Sequence, residues 1–219
     1  MGCDIHLHAE SFDGERWHYL PGCPDPDRNY RLFSVLADVR NEYDLPVICP
    51  PKGIPEDISA ELKGAEDFNS SIVTIDEDGD ELSAWLGDHS YSWLTLEELM
   101  AFDWCQKCTL HGLVGLREYY WWDECARKYE ESPKEWCSGT NLPVVSENEA
   151  KEIIGNLPGN FRAKLMALEK PPLDRTYCRT SWTLPIYKTC RSFWDTFIWL
   201  AFMSHGEPQN IRIVFGFDS

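Results

Sequence analysis

Hydrophobic and polar residues alternate strictly over CDIHLHAE, the first stretch of the chain. Cys3, Ile5, Leu7 and Ala9 fall on one side, and Asp4, His6, His8 and Glu10 on the other. A period of two predicts a strand with one face on a core. Phe12–Glu15 carries Asp13-Gly14, a turn signal, so Arg16–Leu20 is expected back as a hairpin partner. The prolines of PGCPDPD then make a loop. A helix is predicted from Tyr30 to about Asn41, capped by Asp27 or Asn29, with Leu32, Phe33, Leu36 and Val39 as its apolar stripe. Arg31, Asp38, Arg40 and Asn41 lie off that stripe.

The segment DLPVICPPKGIPED is proline-rich and irregular. SIVTID and ELSAWL flank EDGD, a second hairpin with Asp78-Gly79 in its turn. LGDHSYSW reads as a loop or short strand. Thr95 and Glu98 fit a capping box for the helix LEELMAFDW, and Ser146 and Glu149 fit another for a helix ending near Gly155. Between them, residues 103–140 hold four tryptophans and four cysteines and read as an elaboration. NFRAKLMALEK predicts a further helix and Thr176–Leu184 a strand. Ile186 to about Ser204 predicts one long helix with Cys190, Phe193, Phe197 and Leu200 on a stripe and Gly206 as its stop. The chain closes on NIRIVFGFDS, where Ile211, Ile213, Phe215 and Phe217 alternate with Arg212, Val214, Gly216 and Asp218.

Hairpins mixed with helices, without regular strand–helix alternation, predict an α+β fold. Its sheet is expected to be mostly antiparallel, with the N- and C-terminal strands central and helices packed on it. At 219 residues the chain reads as one domain, 1–219, carrying the Trp/Cys-rich elaboration.

Composition narrows the function classes. Thirty-seven acidic against 20 basic residues give a net charge of −17. Such a surface repels phosphate backbones and argues against generic nucleic-acid binding, while leaving room for one small anionic ligand or for a protein partner. No apolar stretch approaches the ~20 residues of a membrane span, and no signal peptide opens the chain. Nine cysteines therefore suggest buried thiols in a reducing cytoplasm, and sometimes metal ligands.

Four groupings carry candidate chemistry. Residues two apart on a strand lie roughly 7 Å apart and point the same way. His6 and His8 could thus converge on one divalent metal, Zn or Mn, or serve as an acid/base pair, with Asp4 and Glu10 orienting the rings or completing the site. The same face reads alternatively as a solvated strand surface, although such surfaces favour Thr, Lys, Arg and Glu. If the last strand pairs with the first, Asp218 and Arg212 join that face, Asp218 as a further ligand. His89, Ser90 and Ser92 stand before a capped helix and could hold a phosphate, His89 also as a base, or simply cap the helix. Cys105, Cys108 and His111, completed by Cys137 or Cys125, could hold a structural zinc, with buried free thiols as the other reading. Asp76, Asp78 and Asp80 resemble a calcium loop, but Glu81 stands where glycine is needed, so an acidic turn is expected.

DIHLH superficially resembles the first metal motif of amidohydrolase and PHP-type barrels. The short chain, the lack of repeated strand–helix units and the spacing of the later histidines exclude that fold. CDIHLHAE, NYRLFSVLADVRN, GIPEDIS, HSYSWLTLEEL and IRIVFGFDS together span most of the chain. They resemble an uncharacterised group of proteins from bacteriophages and some bacteria. The resemblance implies a phage or bacterial cytoplasmic setting and little chemistry. Threonines in relatives at the positions of Cys105 and Cys108 imply that zinc is dispensable to the fold.

Two functions are expected from these features. One is a hydrolase of a phosphate-containing, nucleotide-like substrate. In it Asp4, His6, His8 and Glu10 supply the chemistry, His89, Ser90 and Ser92 hold the substrate, and Arg31, Arg40 or Arg212 neutralises phosphate. The other is a counter-defence protein without turnover, which sequesters a nucleotide signal or blocks a host defence protein with its acidic surface.

Overall fold

A computed structural model describes residues 2–68, 72–75 and 81–218, with the backbone alone for 72–75 and 81–83. In chain order the elements are β1 (Asp4–Phe12), β2 (Trp17–Leu20), α1 (Tyr30–Ala37), β3 (Ile72–Ile75), β4 (Glu81–Ser83), β5 (His89–Thr95) and α2 (Leu96–Ala101). Then come β6 (Lys107–Gly115), α3 (Leu116–Cys125), β7 (Val144–Ser146), α4 (Glu147–Gly155), α5 (Phe161–Leu168) and β8 (Tyr177–Pro185). The chain ends with α6 (Ile186–Thr189), α7 (Phe193–Met203) and β9 (Ile211–Asp218). The fold is α+β. Two compact units form, one from Met1–Trp104 with Thr189–Ser219, the other from Cys105–Lys188. The elaboration expected at 103–140 thus falls largely within a unit that runs on to Lys188.

In the first unit, one antiparallel sheet has the order β2-β1-β9-β5, so the first and last strands are central. Every residue from Ile211 to Phe217 is buried, as a strand covered on both faces requires. α1 packs on one face, with Phe33 5.1 Å from Phe217 between ring centroids. The other face carries Leu62, Ala65, Ala84, Leu86 and Val214 in a buried cluster, with Tyr19, Ile58, Tyr91 and Trp93 against it. β3 and β4 pair as the expected hairpin. Its Asp78-Gly79 turn and the calcium-like Asp76, Asp78 and Asp80 lie outside the described residues.

Three helices depart from the sequence pattern, α2 ending at Ala101 where LEELMAFDW would run to Trp104, because Phe102 is extended. α1 starts at its Asn29 cap but stops at Ala37, four residues short of Asn41, because Asp38 turns left-handed (φ 58°) and returns its N–H to Phe33 and Ser34. The long helix expected over 186–204 breaks at Cys190–Ser192 into α6 and α7. There the Thr189 carbonyl accepts the Asn29 side-chain amide at 2.8 Å.

In the second unit the order is β6-β8-β7, with β6 antiparallel and β7 parallel to β8. Trp122, Trp136 and Trp182 meet edge to face, and Trp136 sits directly on Gly112, where a Cβ would lie 2.7 Å from its ring. The excess of tryptophan here builds a core. Arg127 bonds Asp123 and Glu147 and covers the Trp122 ring. No helix among the described residues is long and apolar enough to cross a membrane.

Candidate functional site

β2 pairs only with Ala9–Phe12 of β1. Asp4–His8 therefore has β9 on one side and no described strand on the other. A cleft of about 570 Å³ runs along this open edge, a size typical of small-molecule sites. His6, His8, Tyr19, Cys23, Asp25, Phe68 and Trp85 line it with the backbone of β1.

One close approach of backbone shapes the cleft. Gly216 lies opposite His6 in the sheet, and a Cβ on it would stand 2.1 Å from the Leu86 carbonyl oxygen. At Gly87 (φ +80°) a Cβ would stand 2.4 Å from the Phe217 carbonyl oxygen. Two glycines thus let the Trp85–Gly87 strap cross β9 in contact with it. The strap brings the Trp85 ring to 4.5 Å from His6, centroid to centroid, and the Trp85 carbonyl to 3.2 Å from His8 Nε2. Phe68 meets Trp85 edge-on at 5.4 Å.

The four polar residues of the β1 face have separate partners. Asp4 holds Arg28, from Nε at 2.5 Å and from Nη2, which keeps its carboxyl below the usual range. His6 Nε2 lies 3.3 Å from Asp218 Oδ2, while Asp218 Oδ1 accepts the Asp4 backbone N–H at 2.9 Å. His8 donates Nε2–H to the Trp85 carbonyl, because a carbonyl oxygen only accepts. Burial holds its pKa below the ordinary histidine value. Glu10 is fully buried and bonds Arg212 Nε at 2.6 Å and the Ser59 N–H at 2.7 Å. Arg212 also bonds Asp57 at 2.8 Å and lies 3.9 Å above the Trp17 ring. Glu10 and Arg212 are therefore sealed in a structural pair and do not line the cleft.

The remaining expected residues lie elsewhere. His89 pairs with Phe217 in register and stacks on it, on the face opposite His6. Its Nδ1 lies 2.9 Å from Ser90 Oγ, and Ser90 sits at φ 53° in a bulge. Ser92 is buried, its hydroxyl accepting the Lys52 N–H. Arg40 covers the Tyr30 ring, and Arg31 is carried on α1. Neither Arg31, Arg40 nor Arg212 lines the cleft, and no arginine or lysine does among the described residues.

The cysteine set is divided by strand geometry. Cys108 and His111 are three apart on β6, so Cys108 faces the core while His111 is exposed on the other side. Cys105 is exposed, and the Cys137 backbone bridges Leu113. Among the described residues no group of three or more His, Cys, Asp and Glu is placed to hold a metal.

Several cleft residues lie outside the sequence patterns. Phe68 carries no local signal, and Trp85, Tyr19, Cys23 and Asp25 sit in segments read as a hairpin strand, a return strand and a loop. Burial pushes the Cys23 thiol to about 12, so it is a protonated wall group rather than a nucleophile. No protein-family model, curated protein or solved structure proves similar to this chain.

Proposed function

We propose that the protein is a small hydrolase of nucleotide-like molecules, with the cleft beside β1 as its active site. The observation that carries this reading is His6, backed by Asp218 and opening on an aromatic-walled cleft. With Nε2–H directed at Asp218, the lone pair of Nδ1 is available to take a proton from water. Asp218 fixes the ring's tautomer and stabilises it once charged, the role a carboxylate plays behind a catalytic histidine. Trp85, Phe68 and Tyr19 provide faces for a flat ring. Arg28, bound to Asp4 at the end of the same strand and outside the cleft lining, would be the cation to meet a substrate phosphate. Incubation of purified protein with a panel of nucleotides, read by mass spectrometry, tests the reading. Product should form and should disappear in a folded His6→Ala variant; undiminished turnover in that variant sinks it.

A second reading is favoured by the commitments of His8 and Glu10. With the His8 N–H given to Trp85, Glu10 bound to Arg212 and Asp4 to Arg28, His6 stands without a second uncommitted proton donor on its own strand. A phage-encoded protein that sequesters a nucleotide signal, or blocks a host protein through its acidic surface, needs no such pair. Recovery of an unaltered ligand with the purified protein, and no product from the panel, would favour it.

A further inference from the structure

We propose that the cleft selects a flat ring presenting two adjacent N–H donors, of the guanine type, and that Asp25 reads that edge. The inference rests on the cleft being the substrate site and adds which ring it takes. The polarity of the wall carries it. Asp25 is exposed in the loop after β2 and lines the cleft. Its Oδ1 accepts the Asp27 backbone N–H at 2.8 Å, which orients the carboxylate, and it makes no other hydrogen bond among the described residues. A carboxylate so held can accept two parallel N–H bonds. His8 adds a second acceptor, since its Nε2–H is engaged by Trp85 and Nδ1 keeps its lone pair. Fixed cationic donors are absent from the described lining. Trp85 and Phe68, perpendicular to each other at 5.4 Å, give the wall an aromatic corner against which a flat ring can pack.

Guanine places N1–H and the 2-amino group side by side on its Watson–Crick edge, the edge by which proteins read an isolated base. Inosine lacks the amino group. Adenine sets an acceptor beside its amino group, and xanthine carries an oxygen at position 2. Against an acceptor wall each of these leaves a bond unmade or two acceptors facing, a loss of about tenfold or more where the acceptor is charged.

The test is calorimetric titration of the full chain with guanosine, inosine, adenosine and xanthosine, repeated on Asp25→Asn. Asparagine keeps an oxygen for the Asp27 N–H and turns the other position into a donor. The expected result is guanosine bound at least tenfold tighter than the other three. In Asp25→Asn, guanosine should lose about that factor and xanthosine should gain. Equal binding of guanosine and inosine overturns the inference, as does an unchanged preference in Asp25→Asn or no binding of any of the four. The hydrolase reading is judged apart from this. It survives if nucleotides are turned over through His6 without preference for guanine, and it falls if guanosine is bound and no nucleotide is ever cleaved.

Discussion

Glu10 and Arg212 sit directly opposite each other on β1 and β9, both essentially inaccessible to solvent, with carboxylate and guanidinium 2.6 Å apart. The pair welds the two central strands beneath Trp17, and Asp57 and the Ser59 N–H complete its bonding. Removing one partner leaves the other charge buried and uncompensated. Glu10→Ala or Arg212→Ala should each cost about 3–5 kcal/mol. The double variant Glu10→Met/Arg212→Met should be much less damaged than either single change predicts. Urea titrations of the four proteins check this, and additive losses would show that the pair is not coupled.

This pair also shows where sequence reasoning stops. Alternation in CDIHLHAE and IRIVFGFDS puts Glu10 and Arg212 on one face once the two strands pair, as they do at the sheet's centre. Capping boxes at Thr95 and Ser146 located α2 and α4, because the signal is local. What alternation could not reveal is how much of that face is covered. Asp57, Ser59 and Trp17 close over the Glu10 end and the Trp85 strap half-covers the His6 end, and these contacts span many residues. β6 was legible in principle, since Cys108, Leu110, Gly112 and Val114 alternate with Thr109 and His111. CxxC spacing draws the eye there, although it brings ligands together on a turn and not across a strand's two faces.

His8 predicts a pH response. Burial holds its pKa below the value of the unfolded chain, 6.5, so the unfolded state takes up a proton first as pH falls. The neutral ring's contribution is complete above pH 6.5 and is lost as pH drops from there towards the folded-state value. Melting temperature should therefore fall between pH 7 and pH 5 in the native protein. In His8→Gln, whose amide can still donate to the Trp85 carbonyl, that part of the fall should disappear. Equal slopes in the two proteins would assign the acid response to other groups.

Gly216 predicts a steric effect on the cleft. Gly216→Ala would drive a methyl group into the Leu86 carbonyl at 2.1 Å, so the strap must lift from β9. The expected cost is about 1–3 kcal/mol, as for other forced insertions into packed sites. Because Trp85 precedes Leu86, its ring should also leave His6. Fluorescence quenching by acrylamide should rise in Gly216→Ala at temperatures where circular dichroism still reports a folded chain. A folded variant with native quenching would separate the strap from the glycine.

Asp218 allows the role of His6 to be tested without touching the imidazole. In Asp218→Asn the side-chain oxygen can still accept the Asp4 N–H, so the end of β9 should stay in place. The amide nitrogen cannot accept from His6 Nε2, and the ring loses its fixed tautomer. If His6 is the general base of a hydrolase, kcat should fall by about 10²–10⁴ with KM little changed, because the cleft walls that hold the ring of the substrate are untouched. A purely structural Asp218 would behave differently, lowering the melting temperature while the folded fraction kept its native kcat. The two outcomes divide on the ratio of kcat loss to stability loss, measured on the same preparation.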